Sequence, residues 1–541
     1  MHSSLGFDLS KMKLSGASFA DADFSSLVSS LSFSQSVAMI LGICGLLLVL
    51  MPGRAQAFKA PIYGYRSWLE PTILVQTRFA TDARGMIMAG CKKFGDSPFT
   101  IRRYDTDITI LPKKYLNELR LVSSSKLSTA IALSGNKVYQ WTFASVMVES
   151  DLHSRILKDR LIAEMPKYLD LAKTELEYGW NVDIPKPSDW TEVDIQQVAR
   201  MLIARMTAKI FLGSTACRNS KWLSLSIDFS KELSIVRLIL TMFPTWMYPI
   251  VVHLIPGRYR LKKCLATAAR IIGPLMEKHR EAAKQRSIGV CVEEEDTLLH
   301  WMMDVGDEKE NQVAEMSTLQ CFMALASIHT TSTTISNVLF DLCAHPEWIP
   351  ILIDEINDVT NRTGKLGDKD GVGVKEWLAK LEKLDSFLME SLRYNPVLLL
   401  APSRYAIESH TFNDGQHIPA GRTISWANYF HQNDPSLAPE PHLFDPMRSY
   451  RKRYSSPEQK IKHLAGQADT NNLTFGYGRG ACPGRFFAVG EIKTIVARLL
   501  VEFEFKYPEG KSRPRSIGLN EFSLPDPGAR LMMRIRKDVK Q

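Results

Sequence analysis

The segment Phe475-Gly476-Tyr477-Gly478-Arg479-Gly480-Ala481-Cys482-Pro483-Gly484-Arg485-Phe486-Phe487 constrains this chain more than any other, because it offers one cysteine from a glycine-rich loop that leads into an apolar helix. Pro483 has the fixed φ and missing N–H suited to a first helical position. Phe486, Phe487, Ile492, Ile495, Val496, Leu499, Leu500 and Phe503 then recur near helical spacing. Cys482 is therefore expected at or beside a helix N-cap, where an anion gains about 0.3–1 kcal/mol. A coordinated metal would act more strongly, since it deprotonates a thiol outright. The glycines permit tight backbone conformations and close approach to a flat cofactor. A thiolate-ligated metal cofactor accounts for the cysteine, the glycines and the proline together.

Gly476, Gly478 and Ala481 also satisfy the dinucleotide fingerprint G-x-G-x-x-G/A, with Glu502 and Glu504 near the expected distance. The preceding Asp469-Thr470-Asn471-Asn472 is no buried strand, however, and too little chain follows to complete a doubly wound domain. A structural cysteine in an ordinary loop would leave the glycines and the proline unexplained.

Phe475, Gly478, Cys482 and Gly484 resemble the haem loop of the cytochrome P450 family, Phe-x-x-Gly-x-Arg/His-x-Cys-x-Gly. Gly480 departs from it, standing where the family places an Arg or His that reaches a haem propionate, and Arg479 is the neighbouring substitute. Glu390-Ser391-Leu392-Arg393 is similar to the family's Glu-x-x-Arg, and Pro441 to Arg448 to its Pro-x-x-Phe-x-Pro-x-Arg. Spacing i, i+3 puts Glu390 and Arg393 on one helical face, and Arg448 adds a second guanidinium. Ala326-Ser327-Ile328-His329-Thr330-Thr331 lies in a charge-free stretch from Met316 to Phe340. Its Gln, Asn, His, Ser and Thr side chains are too polar for lipid, so a long buried core helix is expected. The resemblance makes this the helix over the distal haem face, with Ala326 leaving room for dioxygen and Thr330 organising proton delivery. Ser327 and His329 replace the family's Gly and acidic residue. His329 is read either as a proton-route member or as a core histidine.

The resemblance implies a mainly α fold with a small β region, built as one catalytic domain over residues 59–541. It implies haem b with axial Cys482 as cofactor, and a monooxygenase reaction in which NADPH electrons arrive through an NADPH–cytochrome P450 reductase, with cytochrome b5 as an optional donor. One atom of dioxygen enters a C–H bond of a small apolar substrate. The motifs look most like the fungal branch containing ent-kaurene oxidases and tailoring oxygenases of indole-diterpene and meroterpenoid pathways, which implies a bulky terpenoid. A haem-dependent isomerase or dehydratase, and a haem-thiolate sensor, remain alternatives. By family position the pocket draws on Ser123–Met147, the Ala326 helix, Val397–Ser403 and Leu519–Pro525.

Residues 1–58 read as a tail and membrane anchor. Phe24 to Gly53 carries no charge, and Val37 to Met51 contains nine Leu, Ile and Val residues, together about −3 to −5 kcal/mol on an insertion scale. Asp21 and Asp23 precede the span and Arg54, Lys59 and Arg66 follow it. The positive-inside rule then gives a single-pass anchor in the endoplasmic reticulum with a cytosolic catalytic domain. Ala55-Gln56-Ala57 is the alternative, a signal-peptide cleavage site.

Eight cysteines without a Cys-x-x-Cys give neither a disulfide nor a zinc framework; the seven besides Cys482 read as small buried hydrophobes. The net charge of +9 is spread along the chain, and nucleic acid is not expected as a partner. Arg485 and Lys493 read as a basic docking face for an acidic electron donor. Phe99–Arg103 and Asp107–Leu111 read as strands, and a helix is expected from Lys113.

Overall fold

A computed structural model describes residues 60–135, 137–368 and 370–537. The span from Phe24 to Gly53, the flanking Asp21, Asp23, Arg54 and Lys59, Cys44 and the boundary between 58 and 59 lie outside the described residues. In chain order the strands used below are β1 (Ile62–Tyr63), β2 (Phe99–Arg102), β3 (Asp107–Ile110), β4 (Leu127–Ser128), β5 (Thr191–Val193), β6 (Ser403–Ala406), β7 (Thr423–Ser425), β8 (Phe503–Lys506), β9 (Ser516–Leu519), β10 (Phe522–Pro525) and β11 (Leu531–Ile535). The main helices are α1 (Met165–Val182), α2 (Ile195–Leu212), α3 (Ser220–Thr241), α4 (Pro256–Ser287), α5 (Leu298–Val305), α6 (Val313–Ala344), α7 (Glu382–Tyr394) and α8 (Arg485–Glu502). The chain is helix-rich with small sheets.

The largest sheet runs β1-β2-β3-β7-β6-β4. Its first hairpin follows from sequence: alternation brings Ile101 opposite Ile108 in antiparallel register, and Thr100 and Thr109 share a hydrogen bond of 3.1 Å on the same ladder. β3 then pairs in parallel with β7, some three hundred residues on, so the N-terminal strands and the segment before the cysteine loop share one sheet. β8, β11 and β5 form a second sheet, and β9 and β10 a hairpin.

α6 is the central helix. Its charge-free stretch is buried on most faces, and it packs against α2, α3, α4, α7 and α8. Leu202 and Ile203 of α2, Ile335, Val338 and Leu339 of α6, and Ile495 and Leu499 of α8 belong to one buried cluster. Each such side chain contributes about 1.5–3 kcal/mol on burial. A helix apolar or neutral all round is stable only inside such a core. Among the described residues no single helix is long and apolar enough to cross a membrane; residues 220–241 and 245–254 meet the test only as a pair bent by 120°.

The prolines at 249 and 256 begin helices rather than merely breaking them, each lying in a first turn where its missing N–H costs nothing. Asp194 caps α2 through the Gln197 amide at 3.0 Å, and Asn219 caps α3 through Lys221 at 3.0 Å and Trp222 at 3.3 Å. The helix from Lys113 opens as a 3-10 turn over Lys113–Tyr115 before one α turn at Leu116–Leu119.

A candidate cofactor site around Cys482

The loop before α8 is shaped by its own backbone. The Cys482 amide donates to the Phe475 carbonyl at 2.8 Å, Gly476 to Leu473 at 2.9 Å, and Ala481 to Gly478 at 3.1 Å. Gly476 and Gly478 have φ of +77° and +65°. At Gly478 a Cβ would lie 2.8 Å from the backbone of Arg120, so neither conformation nor space admits a side chain. The helix starts later than expected: Pro483 and Gly484 form a turn, Gly484 is the N-cap, and α8 opens at Arg485. The delay leaves Cys482 two residues ahead of the N-cap, with the Gly484 and Arg485 amides directed at its sulfur.

The Cys482 side chain is reachable by solvent but lies deep in a recess. Burial pushes its thiol above the ordinary value, while the Gly484 amide, then the Arg485 guanidinium and amide, pull the other way. Donors aimed at a sulfur that protein charge alone leaves as a thiol fit a metal that supplies the missing stabilisation.

Beside this loop stands a residue the sequence reading passed over. Arg404 of β6 is buried, and burial lowers its pKa to about 10, so it stays charged at neutral pH. Its guanidinium donates to the carbonyls of Tyr477 at 3.0 Å and Ser403 at 2.9 Å, and no carboxylate pairs with it among the described residues. A Cβ on Gly480 would lie 2.5 Å from both Arg404 Nη2 and Thr129 Oγ1. The glycine that departs from the family pattern thus makes room for a buried cation. Arg479 is exposed, and its carbonyl accepts from Lys158 Nζ at 3.2 Å. A flat cofactor carrying a metal and carboxylates fits this donor set: a cysteine sulfur, close-approach glycines, and an unpaired buried guanidinium.

On α6, Ala326 and Thr330 are exposed, and between Glu315 and Cys343 no other residue is. Thr330 Oγ1 donates to the Ala326 carbonyl at 2.8 Å, a back-bond one turn up the helix. Ser327 and His329 face other neighbours. Ser327 Oγ shares a hydrogen bond of 2.9 Å with Thr207 Oγ1 on α2. The His329 ring is buried near the Ile227 carbonyl of α3, and its Nε2 has no partner among the described residues. Burial first, and Arg200 second, pull its pKa to about 4.

Glu390, Arg393 and Arg448 do come together. Arg393 forks onto Glu390 through Nη2 at 2.6 Å and Nε at 2.8 Å. Arg448 Nε stands 3.5 Å from the same carboxylate, and the Asp445 amide donates to it at 2.8 Å. All three side chains are buried, and Arg393 also reaches the Pro441 and Leu443 carbonyls at 2.8 and 3.0 Å. The motif 441–448 is thereby clamped to α7.

The four expected pocket segments are linked by contacts. The Leu399 amide donates to the Glu521 carbonyl at 2.8 Å and the Ser523 amide to the Val397 carbonyl at 3.0 Å, and α6 packs on β10 and on Ser145–Glu149. The docking-face reading of Lys493 is overturned: its ammonium is buried and pairs with Asp385 at 3.2 Å, because α8 is enclosed on most sides. Arg485 instead donates to the Cys482 carbonyl at 2.8 Å. Cys291 is exposed rather than buried.

The family model described as Cytochrome P450 matches residues 176–533. The chain is 40% identical to "Cytochrome P450 monooxygenase sdnB" of Sordaria araneosa, over 96% of this chain and 95% of that one. It is 36% identical to "Ent-kaurene oxidase P450-4" of Gibberella fujikuroi, over 88% and 93%. The solved structure of a "Retinoic acid bound cyanobacterial CYP120A1" shares the fold with a TM-score of 0.63, covering 88% of this chain and 99% of that chain at 17% identity. This chain therefore belongs to the cytochrome P450 family, as a monooxygenase whose cofactor is a haem with an axial cysteine thiolate.

Proposed function

We propose that this enzyme inserts one oxygen atom of dioxygen into a C–H bond of a bulky, apolar, terpenoid-class metabolite, drawing NADPH electrons through a cytochrome P450 reductase. The residue span 24–53 anchors it to the endoplasmic reticulum with the catalytic domain in the cytosol. The observation that carries the reading is the pair Ala326 and Thr330, the two exposed positions midway along an otherwise enclosed helix. The substrate class is supported by the ent-kaurene oxidase relative and by the exposed apolar side chains of the 516–525 hairpin, Leu519 and Phe522.

Bound at Cys482, the haem supplies dioxygen activation, with thiolate electron donation favouring O–O cleavage. The residues do the rest. Cys482 would be the ligand, Arg404 would receive a cofactor carboxylate, and Ala326 would leave space for dioxygen. Thr330 Oγ1 gives its own hydrogen to the Ala326 carbonyl, which leaves its lone pairs to orient a proton donor. His329, neutral and turned towards α2 and α3, is a packing residue in this scheme.

The test is expression beside a reductase with a panel of terpenoids, scored for products gaining one oxygen atom. Oxygenated product is expected, with Thr330→Ala cutting product per NADPH by about 10²–10⁴-fold at most, as proton transfer by a positioned group typically contributes, and releasing peroxide instead. Rearrangement of substrate without NADPH consumption would replace this reading with an isomerase, and His329→Ala with the same uncoupling would return His329 to the proton route.

A further inference from the structure

We propose that His279, Glu294 and His300 bind a divalent transition ion of the zinc class, which fastens the end of α4 to the start of α5. One candidate ligand atom from each of the three lies within 4.8 Å of the other two. His279 lies on α4, Glu294 in the connection that follows it, and His300 in the first turn of α5, where its amide is capped by Thr297 at 3.3 Å.

The surroundings sort the ring nitrogens. His300 Nδ1 lies 2.8 Å from the Glu295 carbonyl, which can only accept, so a neutral ring keeps its lone pair on Nε2. His279 Nε2 stands 3.0 Å from Asp304 Oδ1; donation there leaves the Nδ1 lone pair towards Glu294, also 3.0 Å away. Metal-binding histidines are commonly held in this way, with the second ring N–H given to a carboxylate or carbonyl.

Glu294 gives an independent sign. Its side chain is only 7% exposed. Arg286 Nη1 holds Oε2 at 2.7 Å, while Oε1 is buried without a hydrogen-bond partner among the described residues. A shielded carboxylate oxygen carries a desolvation cost that a cation offsets. Two imidazoles with one carboxylate suit zinc or cobalt, whereas calcium and magnesium select oxygen donors. The two rings are stacked at 4.2 Å with planes 7° apart. An ion bound in the plane of both rings requires them to splay, so loading is accompanied by side-chain rotation.

The experiment is calorimetric titration of the haem-loaded, chelator-dialysed full chain with zinc, alongside thermal melting. One equivalent is expected to bind and to raise the melting temperature. Glu294→Gln and His300→Ala should each weaken that binding at least ~10-fold, with the Soret band and far-ultraviolet circular dichroism unchanged. Cys291→Ser, in the same connection, should leave it intact. No zinc binding at micromolar concentration, or undiminished binding in Glu294→Gln, overturns the proposal. Should His300→Ala lose its Soret band, the Glu294→Gln titration decides alone.

Discussion

Glu390 and Arg404 are both buried charges, yet they live in opposite surroundings. Glu390 has a forked guanidinium, a second arginine and a backbone amide around it. Among the described residues Arg404 has only two carbonyls and no acid. The first region is electrostatically closed by the chain itself. The second keeps an uncompensated charge beside a loop that no side chain can fill at Gly478. A fully satisfied polar cluster holds a fold together, and one left short of a partner marks where something else binds. The same contrast recurs on α8, where Glu491 is buried with both oxygens unpartnered among the described residues and burial raises its pKa well above the ordinary carboxylate value.

The largest effect expected from this contrast is at the ligand. Cys482→Ala should fold yet lose the reduced-carbonyl Soret shift of thiolate ligation entirely; a variant keeping that spectrum would put the ligand elsewhere. Next, Glu390→Ala should cost about 3–5 kcal/mol, because it strands two buried guanidinium groups, against a total stability of about 5–15 kcal/mol for a typical domain. Loss of soluble protein or a steep fall in denaturant midpoint would show it, and wild-type stability would mean the cluster is not closed as described. Arg404→Leu should do the reverse: the polypeptide keeps its denaturant midpoint, while haem is lost faster to a scavenging apoprotein, by about 10- to 150-fold for one charge-assisted bond of about 1.5–3 kcal/mol. Equal haem retention would assign the cofactor carboxylate another partner.

The smallest effect is a pH slope. Glu491 has a raised folded-state pKa, so the folded chain holds a proton that the unfolded chain has released once pH exceeds the unfolded value near 4.5. Stability is therefore undiminished by this group below that pH and falls as pH rises towards the folded pKa. Glu491→Gln should be more stable than the wild type at neutral pH and indistinguishable from it in acid. A parallel pH dependence in the two proteins would show that Glu491 has an unseen partner.

What the sequence could reveal was local or paired by motif. The charge-free run 316–340 marked α6, the i, i+3 spacing of Glu390 and Arg393 marked their common face, and the glycines around Cys482 marked the loop. Arg404 escaped notice because a lone arginine in a short strand has no pattern. Its meaning comes from Tyr477 and Gly480, more than seventy residues away, through a side-chain contact no local rule encodes. Lys493 misled for the opposite reason: a lysine on a helix is ordinarily solvated, and only the helices enclosing α8, α1 and α6 among them, with Asp385 as its ion partner, bury it. The late start of α8 turned on whether Pro483 opened the helix or a turn, a choice its fixed φ permits either way.

The hairpin β9–β10 is pinned by the Glu521 pair with Arg103, and it hangs on residues 397–399 by main-chain hydrogen bonds, Leu399 to Glu521 and Ser523 to Val397. The main-chain attachment is indifferent to side-chain identity. Replacing Leu519 or Phe522, both partly exposed, would alter the wall facing a guest without loosening its mounting. Substitutions there change what the hairpin presents while the scaffold around Cys482 stays unchanged.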